Sequence, residues 1–148
     1  MRLTSRSFAY GRLIPVRHTG DGQDLSPPLH LSGLPGGTVT LALVVEDPDV
    51  PGGTWDHWVA YDIEPTDEIP EGVEALGTAG RNSWRRGGYT GPCPPTGVHR
   101  YLFRVYALDA TLRLPQGADK RTLASAMKGH VLAEAVLMGR YGPSISPG

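Results

Sequence analysis

Three segments with the residue pattern of β-strands, separated by stretches rich in Gly and Pro, constrain the fold of this chain more than any other feature. Residues 38–46 are apolar and β-branched, residues 55–63 alternate and include aromatic side chains, and residues 98–108 alternate between apolar and polar side chains. Such patterns predict β-strands, and the Gly and Pro clusters between them predict turns and long ordered loops. Because the 20 Gly and 14 Pro are interleaved with apolar runs, they indicate a loop-rich β fold and not a disordered chain.

The spacing of apolar residues changes near the C-terminal end of the chain. Five of them recur there at intervals of three to four residues, which predicts helix: Leu123, Met127, Val131, Ala135 and Met138. Asp119 is the expected N-cap of a first helix, and Gly129 is expected to divide the stretch into two short helices. Gly139 or Gly142 would end the second helix, and the two methionines would face the core. The predicted fold class is therefore mainly β, with one or two short C-terminal helices.

Length and charge exclude several classes of protein. The 148 residues are enough for one domain, which we expect to span residues 1–148, because no repeat or linker divides them. Fourteen Lys and Arg against fifteen Asp and Glu give a formal net charge of -1, so a nucleic-acid partner is not expected. No segment has the pattern of a signal peptide or a membrane span, and the only cysteine, Cys93, cannot form an internal disulfide. We therefore expect a cytoplasmic protein with no integral membrane segment.

The segment that follows the first strand carries two carboxylates. Asp47 and Asp49 alternate with Pro48, Val50 and Pro51, so the chain turns sharply as it leaves the sheet and holds both carboxylates at the sheet's mouth. Asp and Pro are also ordinary turn residues, so this segment alone does not define a site.

The second strand begins with a histidine between two tryptophans. The two-residue period of a strand places Trp55 and His57 on one face, and Asp56 and Trp58 on the other. A histidine beside tryptophans packs in a core more often than it binds a ligand, so this segment also depends on its neighbours for its meaning.

The third strand begins with His99, Arg100 and Tyr101, after a long irregular segment of the kind that often carries function. His99 and Tyr101 share a face, with side chains about 7 Å apart along the strand, close enough for an imidazole and a phenol to donate hydrogen bonds to one small anion. Arg100 points to the opposite face, where a salt bridge or packing behind the site is its expected role.

Taken together in this order, these segments resemble the two signature sequences of the phosphatidylethanolamine-binding protein family. The matching segments are 47–51, 55–58, 91–97 and 99–101. Other segments resemble the bacterial and archaeal branch of the family, often called Raf-kinase-inhibitor-like: 26–29, 107–109 and 126–133. The resemblance extends from about Phe8 to Tyr141. It departs from the family pattern at Leu31, where Trp is usual, and at Ser83, where Asp is common, in the loop around Asn82 at the expected rim of the pocket.

The resemblance implies a β-sandwich of two antiparallel sheets with a short terminal helical region, and a pocket at one end that binds phosphate-like anions. The pocket residues of the family correspond here to Asp47, His57, His99 and Tyr101. The positions that wall the pocket or offer backbone donors correspond to Trp55, Gly91 and Pro92, and the supporting positions to Asp49 and Arg100. The resemblance implies no cofactor, no metal and no catalytic residue.

We therefore expect a binding protein and not an enzyme, with a small phosphate-bearing or other anionic ligand such as phosphoethanolamine. Two imidazoles, a phenol and a backbone N–H supply hydrogen-bond donors without a fixed positive charge. Asp47, which would repel an anion, is expected to accept a proton from His57 or His99 and keep that ring oriented and cationic, or to meet the ammonium group of the ligand. Either arrangement predicts stronger anion binding at mildly acidic pH.

One alternative is a hydrolase. Cys93 with a nearby histidine would supply a nucleophile and a base, or the aspartates and histidines of the pocket would hold a metal. Against this, Cys93 lies between two prolines with no helix N-terminus to lower its pKa, and the sequence has no motif with metal-ligand spacing.

A second alternative is a protein-interaction module that inhibits a protease or a kinase, in which the pocket accepts a phosphate or carboxylate of the partner. The sequence does not separate this function from small-anion binding, because both use the same residues. A homodimer is also expected from the resemblance to the bacterial branch, with Trp58 and Trp84 as candidate contacts, although burial within the domain is the simpler expectation for both.

Overall fold

A computed structural model describes residues 1–143, which form eight β-strands, one α-helix and a single turn of 3₁₀ helix at Val16–His18. The strands in chain order are β1 (Arg2–Thr4), β2 (Leu29–Ser32), β3 (Thr40–Asp47), β4 (Trp55–Ile63), β5 (Glu68–Ile69), β6 (Thr78–Ala79), β7 (His99–Leu108) and β8 (Val131–Tyr141). The helix, α1 (Lys120–Met127), lies between β7 and β8 in the chain.

The strands form two sheets, and every strand pair is antiparallel. One sheet has the order β1-β2-β5 and the other the order β6-β4-β3-β7-β8. Apolar side chains of both sheets share one buried cluster, in which Leu29 and Leu31 of the small sheet meet Leu43 and Phe103 of the large one. The sheets therefore pack face to face, which confirms the predicted mainly β fold of two antiparallel sheets.

Strand β3 is buried on both faces. Leu41, Leu43 and Val45 face the small sheet, while Ala42 and Val44 face a second apolar cluster that includes α1. A strand covered on both sides carries a continuous apolar run in place of alternation, which is why residues 41–45 contain no polar side chain.

Helix α1 begins where the sequence predicts a helix. The Asp119 carboxylate accepts a hydrogen bond from the Thr122 amide at 2.9 Å, as an N-cap does. Leu123 and Met127 pack on the large sheet, and Gly129 follows the helix with φ of +83°, a conformation that favours glycine. No helix within residues 1–143 is long and apolar enough to cross a bilayer.

The predicted second helix is wrong, because residues 131–141 form strand β8. The spacing of Val131, Ala135 and Met138 fits a helix, yet burial alternates along the strand, with Ala135, Leu137 and Tyr141 buried. Every residue of β7 is paired with β8, and these backbone hydrogen bonds override the local pattern. Gly139 does not end a helix; a Cβ there would lie 2.5 Å from Ile14 Cγ1, so glycine lets residue 14 pack against the strand.

The predicted facing of residues 55–58 is also wrong in one respect. Val45 pairs with Trp58 and Glu46 pairs with Asp56, so His57 is an extra residue and forms a β-bulge. The bulge shifts the alternation by one, and Trp58 joins the core cluster between the sheets. Asp56 lies on the other side of the sheet, 2.9 Å from Lys120 of α1.

Candidate ligand-binding site

A cavity of about 350 Å³ opens at the end of the sandwich where β3 ends and where β4 and β7 begin. Because β3 is antiparallel to both neighbours, its C-terminal end lies beside their N-terminal ends. The strand ends contribute Asp47, Trp55, His57, His99 and Tyr101. Two loops complete the walls, mostly with apolar side chains: Val50, Pro51, Trp84, Pro94 and Pro95.

Asp47 holds His99 from behind. The Asp47 side chain is buried, and its Oδ2 lies 2.6 Å from His99 Nδ1 while its Oδ1 accepts the Asp49 amide at 2.8 Å. A carboxylate only accepts, so Nδ1 of His99 carries the proton and Nε2 is the nitrogen available to the cavity. The sequence left open which histidine Asp47 meets, and in the structure it is His99.

His57 is oriented by the backbone. Its Nδ1 lies 2.6 Å from the Thr90 carbonyl oxygen, which can only accept, so Nδ1 donates and Nε2 remains for the cavity. The ring packs edge to face against Trp84 at 4.8 Å and against Tyr101 at 5.3 Å. Burial lowers the pKa of His57 below its ordinary value of 6.5, and the Thr90 carbonyl and nearby Asp47 oppose that change.

Tyr101 forms the floor of the cavity. Its ring stacks on His99 with centroids 6.5 Å apart, close to the separation expected from the sequence, and it is 1% exposed. Burial, followed by the charge of Asp47 and a hydrogen bond with its side chain, raises the pKa of Tyr101, so the phenol keeps its proton.

Arg100 braces the cavity from outside. Its Nε and Nη2 donate to Asp49 Oδ2 and Oδ1 at 3.0 and 2.7 Å, and its backbone amide also donates to Oδ2 at 2.8 Å. This fork-to-fork pair ties the loop after β3 to the start of β7, and the hydrogen bonds from Arg100 lower the pKa of Asp49. Asp49 also lines the cavity, whereas Arg100 does not.

The structure separates Gly91 and Pro92 from the cavity lining. The Gly91 amide donates to Asp24 Oδ1 at 2.9 Å, and the Pro92 carbonyl accepts the Gly20 amide at 2.9 Å. Gly91 therefore has no amide proton left for a ligand, contrary to the backbone donor expected there. Its role is spatial, because a Cβ would lie 2.5 Å from the His18 carbonyl oxygen.

The sequence did not place Trp84 in this site. Asn82, which is buried, accepts hydrogen bonds from the amides of Trp84 and Arg86 at 2.9 and 3.1 Å, and the Ser83 hydroxyl accepts the Asp56 amide at 2.8 Å. These bonds set the loop and direct the indole to the cavity, next to His57. The available signal in the sequence was a tryptophan inside a Gly- and Arg-rich loop, where no apolar neighbours account for it. Trp58, the other candidate for a dimer contact, is buried in the core.

Cys93 lies at the rim of the cavity and is exposed. Its Sγ is 3.6 Å from Asp21 Oδ1, and burial together with the charge of Asp21 raises the thiol pKa. Among residues 1–143, no group of three or more His, Cys, Asp or Glu side chains is arranged to hold a metal ion. The described lining contains two imidazoles, a phenol, two indoles, two carboxylates and the Cys93 thiol.

The structure is a small β-sandwich with a cavity at one end. The family model for phosphatidylethanolamine-binding protein matches residues 4–142, so the chain belongs to the phosphatidylethanolamine-binding protein family. This confirms the resemblance found in the sequence.

Similar proteins and solved structures support the same assignment. A UPF0098 protein of Methanothermobacter thermautotrophicus is 46% identical over 148 residues, covering 95% of this chain and 98% of its own length. UPF0098 protein PH1269 of Pyrococcus horikoshii is 45% identical, covering 93% of this chain and 74% of its own length. The crystal structure of a phosphatidylethanolamine-binding protein homologue, CT736 of Chlamydia trachomatis, superposes with a TM-score of 0.92 at 43% identity, covering 95% of this chain and 96% of that one. E. coli YbcL superposes with a TM-score of 0.87 at 28% identity over the same shares.

Proposed function

We propose that the cavity binds a small ligand bearing a phosphate or similar anionic group, of the phosphoethanolamine class, and that the protein acts by binding and not by catalysis. The observation that carries the proposal is the convergence of His57, His99 and Tyr101 on one cavity, with Asp47 buried behind His99. A phenol and two imidazoles around one space are suited to hold an anion by hydrogen bonds.

The two histidines present the same nitrogen to a ligand. Both use Nδ1 for a contact within the protein, His57 with Thr90 and His99 with Asp47, so Nε2 is left in each ring. A neutral ring with its proton on Nδ1 has a lone pair at Nε2, whereas a protonated ring has an N–H there. An anion therefore favours the protonated rings, and its binding draws protons into the site.

This coupling predicts the direction of the pH dependence. The pKa of His57 lies below 6.5, so the ring is neutral near pH 7 and becomes a donor as the pH falls. The negative charges of Asp47, Asp24 and Asp56 each favour the cationic form of this ring. Affinity for the anion should rise on acidification by up to about tenfold per pH unit for each proton taken up.

Cys93 supports binding over catalysis, because a thiol whose pKa is raised is a poor nucleophile at neutral pH. The single cysteine also fits our proposed cytoplasmic location, where thiols stay reduced. Inhibition of a protease or kinase remains the alternative, in which a protein partner carries the anion into the same cavity.

Calorimetric titration with phosphate and with phosphoethanolamine tests the proposal, on wild type, His99→Ala and the control His30→Ala. His30 lies on β2 of the small sheet, outside the cavity lining. We expect saturable binding at about pH 6 and weaker binding at about pH 8, lost in His99→Ala and retained in His30→Ala. No binding by folded wild type would contradict the small-anion function and favour the protein-partner alternative.

A further inference from the structure

Two indoles form a corner in the wall of the cavity. The rings of Trp55 and Trp84 have centroids 5.6 Å apart and planes at 84° to each other. Both line the cavity, and they are 36% and 37% exposed, so each keeps an uncovered surface. Trp55 is the first residue of β4, opposite Asp47, and the hydrogen bonds of Asn82 hold the Trp84 loop. The corner is therefore held by the fold before any ligand arrives.

The charges of the lining favour a cation at this corner. Among the described residues, no Lys or Arg lines the cavity, whereas Asp47 and Asp49 both line it. Aromatic faces attract cations, and tryptophan does so most strongly. An organic cation would thus meet two indoles and two carboxylates in one place, with no Lys or Arg in the lining.

The carboxylates are already engaged in hydrogen bonds. Asp47 accepts from His99 and from the Asp49 amide, and both oxygens of Asp49 accept from Arg100. All four carboxylate oxygens already accept hydrogen bonds, so a primary ammonium would have to share these acceptors to satisfy its three N–H groups. A quaternary ammonium needs none, since its methyl groups carry the charge against the ring faces.

We propose that Trp55 and Trp84 bind the quaternary ammonium of a ligand whose phosphate lies at His99 and Tyr101, so that the site prefers a phosphate monoester with a trimethylammonium group to its primary-ammonium counterpart. The inference rests on the proposed function, because the same ligand supplies the phosphate. It adds a second subsite and a selectivity for the methylated cation.

The size of the cavity fits such a ligand. At about 30 Å³ for each water-sized group, the 350 Å³ cavity holds about a dozen non-hydrogen atoms. Phosphocholine has about eleven, and inorganic phosphate would fill less than half of the space. Ring-to-ring steps of 4.8 Å from Trp84 to His57 and 5.3 Å from His57 to Tyr101 keep the two subsites within reach of one short ligand.

Calorimetric titration with three phosphate monoesters tests the selectivity: phosphocholine, phosphoethanolamine and 3,3-dimethylbutyl phosphate. The last has a neutral tert-butyl group in place of trimethylammonium and so keeps the shape without the charge. Phosphocholine should bind about 3- to 30-fold more tightly than either of the others. In Trp84→Leu the ratio of phosphocholine to the neutral ester should fall to about one, while Tyr10→Leu, an exposed aromatic outside this cavity, should retain it.

Each result has a defined meaning. Equal affinity for phosphocholine and the neutral ester would overturn the cation subsite and leave an apolar wall. Tighter binding of phosphoethanolamine would overturn it in favour of recognition by the carboxylates. If no phosphate ester binds, the proposed function fails separately, and titration with tetramethylammonium decides the subsite: binding that is lost in Trp84→Leu supports it, and no binding overturns it.

Discussion

Mild acid should destabilise this protein through two buried histidines. His18 and His57 are 0% and 4% exposed, and burial is the largest cause that lowers each pKa below 6.5. Unfolding returns both rings to water, where they titrate near 6.5. Just below that pH the unfolded chain binds more protons than the folded one, so acidification favours unfolding. The stability that depends on these two neutral rings is thus fully present above about pH 7, and it is lost as the pH drops through 6.5.

The size of the effect has an upper bound. A ring that stays neutral when folded lowers the free energy of unfolding by about 1.4 kcal/mol between about pH 7.5 and 5.5, so the two histidines together lower it by at most about 2.7 kcal/mol. Two ion-paired carboxylates do not interfere in this window. Glu46 and Asp49 have lowered pKa values, so their contribution is lost only as the pH falls below about 4.5.

Urea unfolding followed by tryptophan fluorescence at about pH 7.5, 6.5 and 5.5 measures this slope. His57→Gln should flatten the curve by up to half. Equal stability across the three pH values, or a slope that His57→Gln leaves intact, would refute the reasoning. Saturating phosphate should restore part of the stability lost at low pH, because it binds the protonated rings.

Three further predictions concern the loop contacts, the site and the helix. Gly20→Cys should form a disulfide with Cys93, because a Cβ at residue 20 would lie 3.0 Å from Cys93 Cβ and needs only a small outward shift. The free energy of unfolding in urea should rise by about 2–4 kcal/mol in the oxidised variant. Two titratable thiols after oxidation would contradict this prediction. Asp47→Asn should weaken phosphate binding in calorimetry about 10- to 100-fold, because an oriented charge partner is lost, whereas tighter binding would mean that Asp47 acts only by repulsion. Leu123→Ala, at a 0% exposed residue of α1, should cost about 2–5 kcal/mol of unfolding free energy, and a cost as small as that of the exposed Arg121→Ala would show that α1 is not docked as described.

The central strands could be predicted from sequence because their side chains record their surroundings. β4 spans the predicted residues, and β3 and β7 differ from prediction by one or two residues at their ends. β1, β2, β5 and β6 are two to four residues long, too short to display a period, and are defined by their partners. The spacing from Leu123 to Met138 satisfies a helix, and only pairing with β7 reveals that its second half is strand.

The chemistry of the site was more accessible from sequence than its geometry. Asp47, His57, His99 and Tyr101 stand at the ends of strands, so their convergence followed from an antiparallel sheet. The amide of Gly91 is consumed by Asp24, which is 67 residues away, and Trp84 reaches the cavity through the hydrogen bonds of Asn82. Contacts between distant loops leave no period in a sequence, so these two placements required the structure.

Tyr101 belongs both to the buried cluster between the sheets and to the floor of the cavity. The cavity is thus the open end of the sandwich core, and its surfaces differ in how freely they can change. Replacing Tyr101 with a smaller residue to enlarge the pocket would leave a cavity in the core. It would lower the free energy of unfolding by several kcal/mol, as other large-to-small core substitutions do. Val50, Pro51 and Thr96 wall the same space from loops, outside the buried clusters. Redesign of ligand preference should therefore start in the loops and leave the floor as it is.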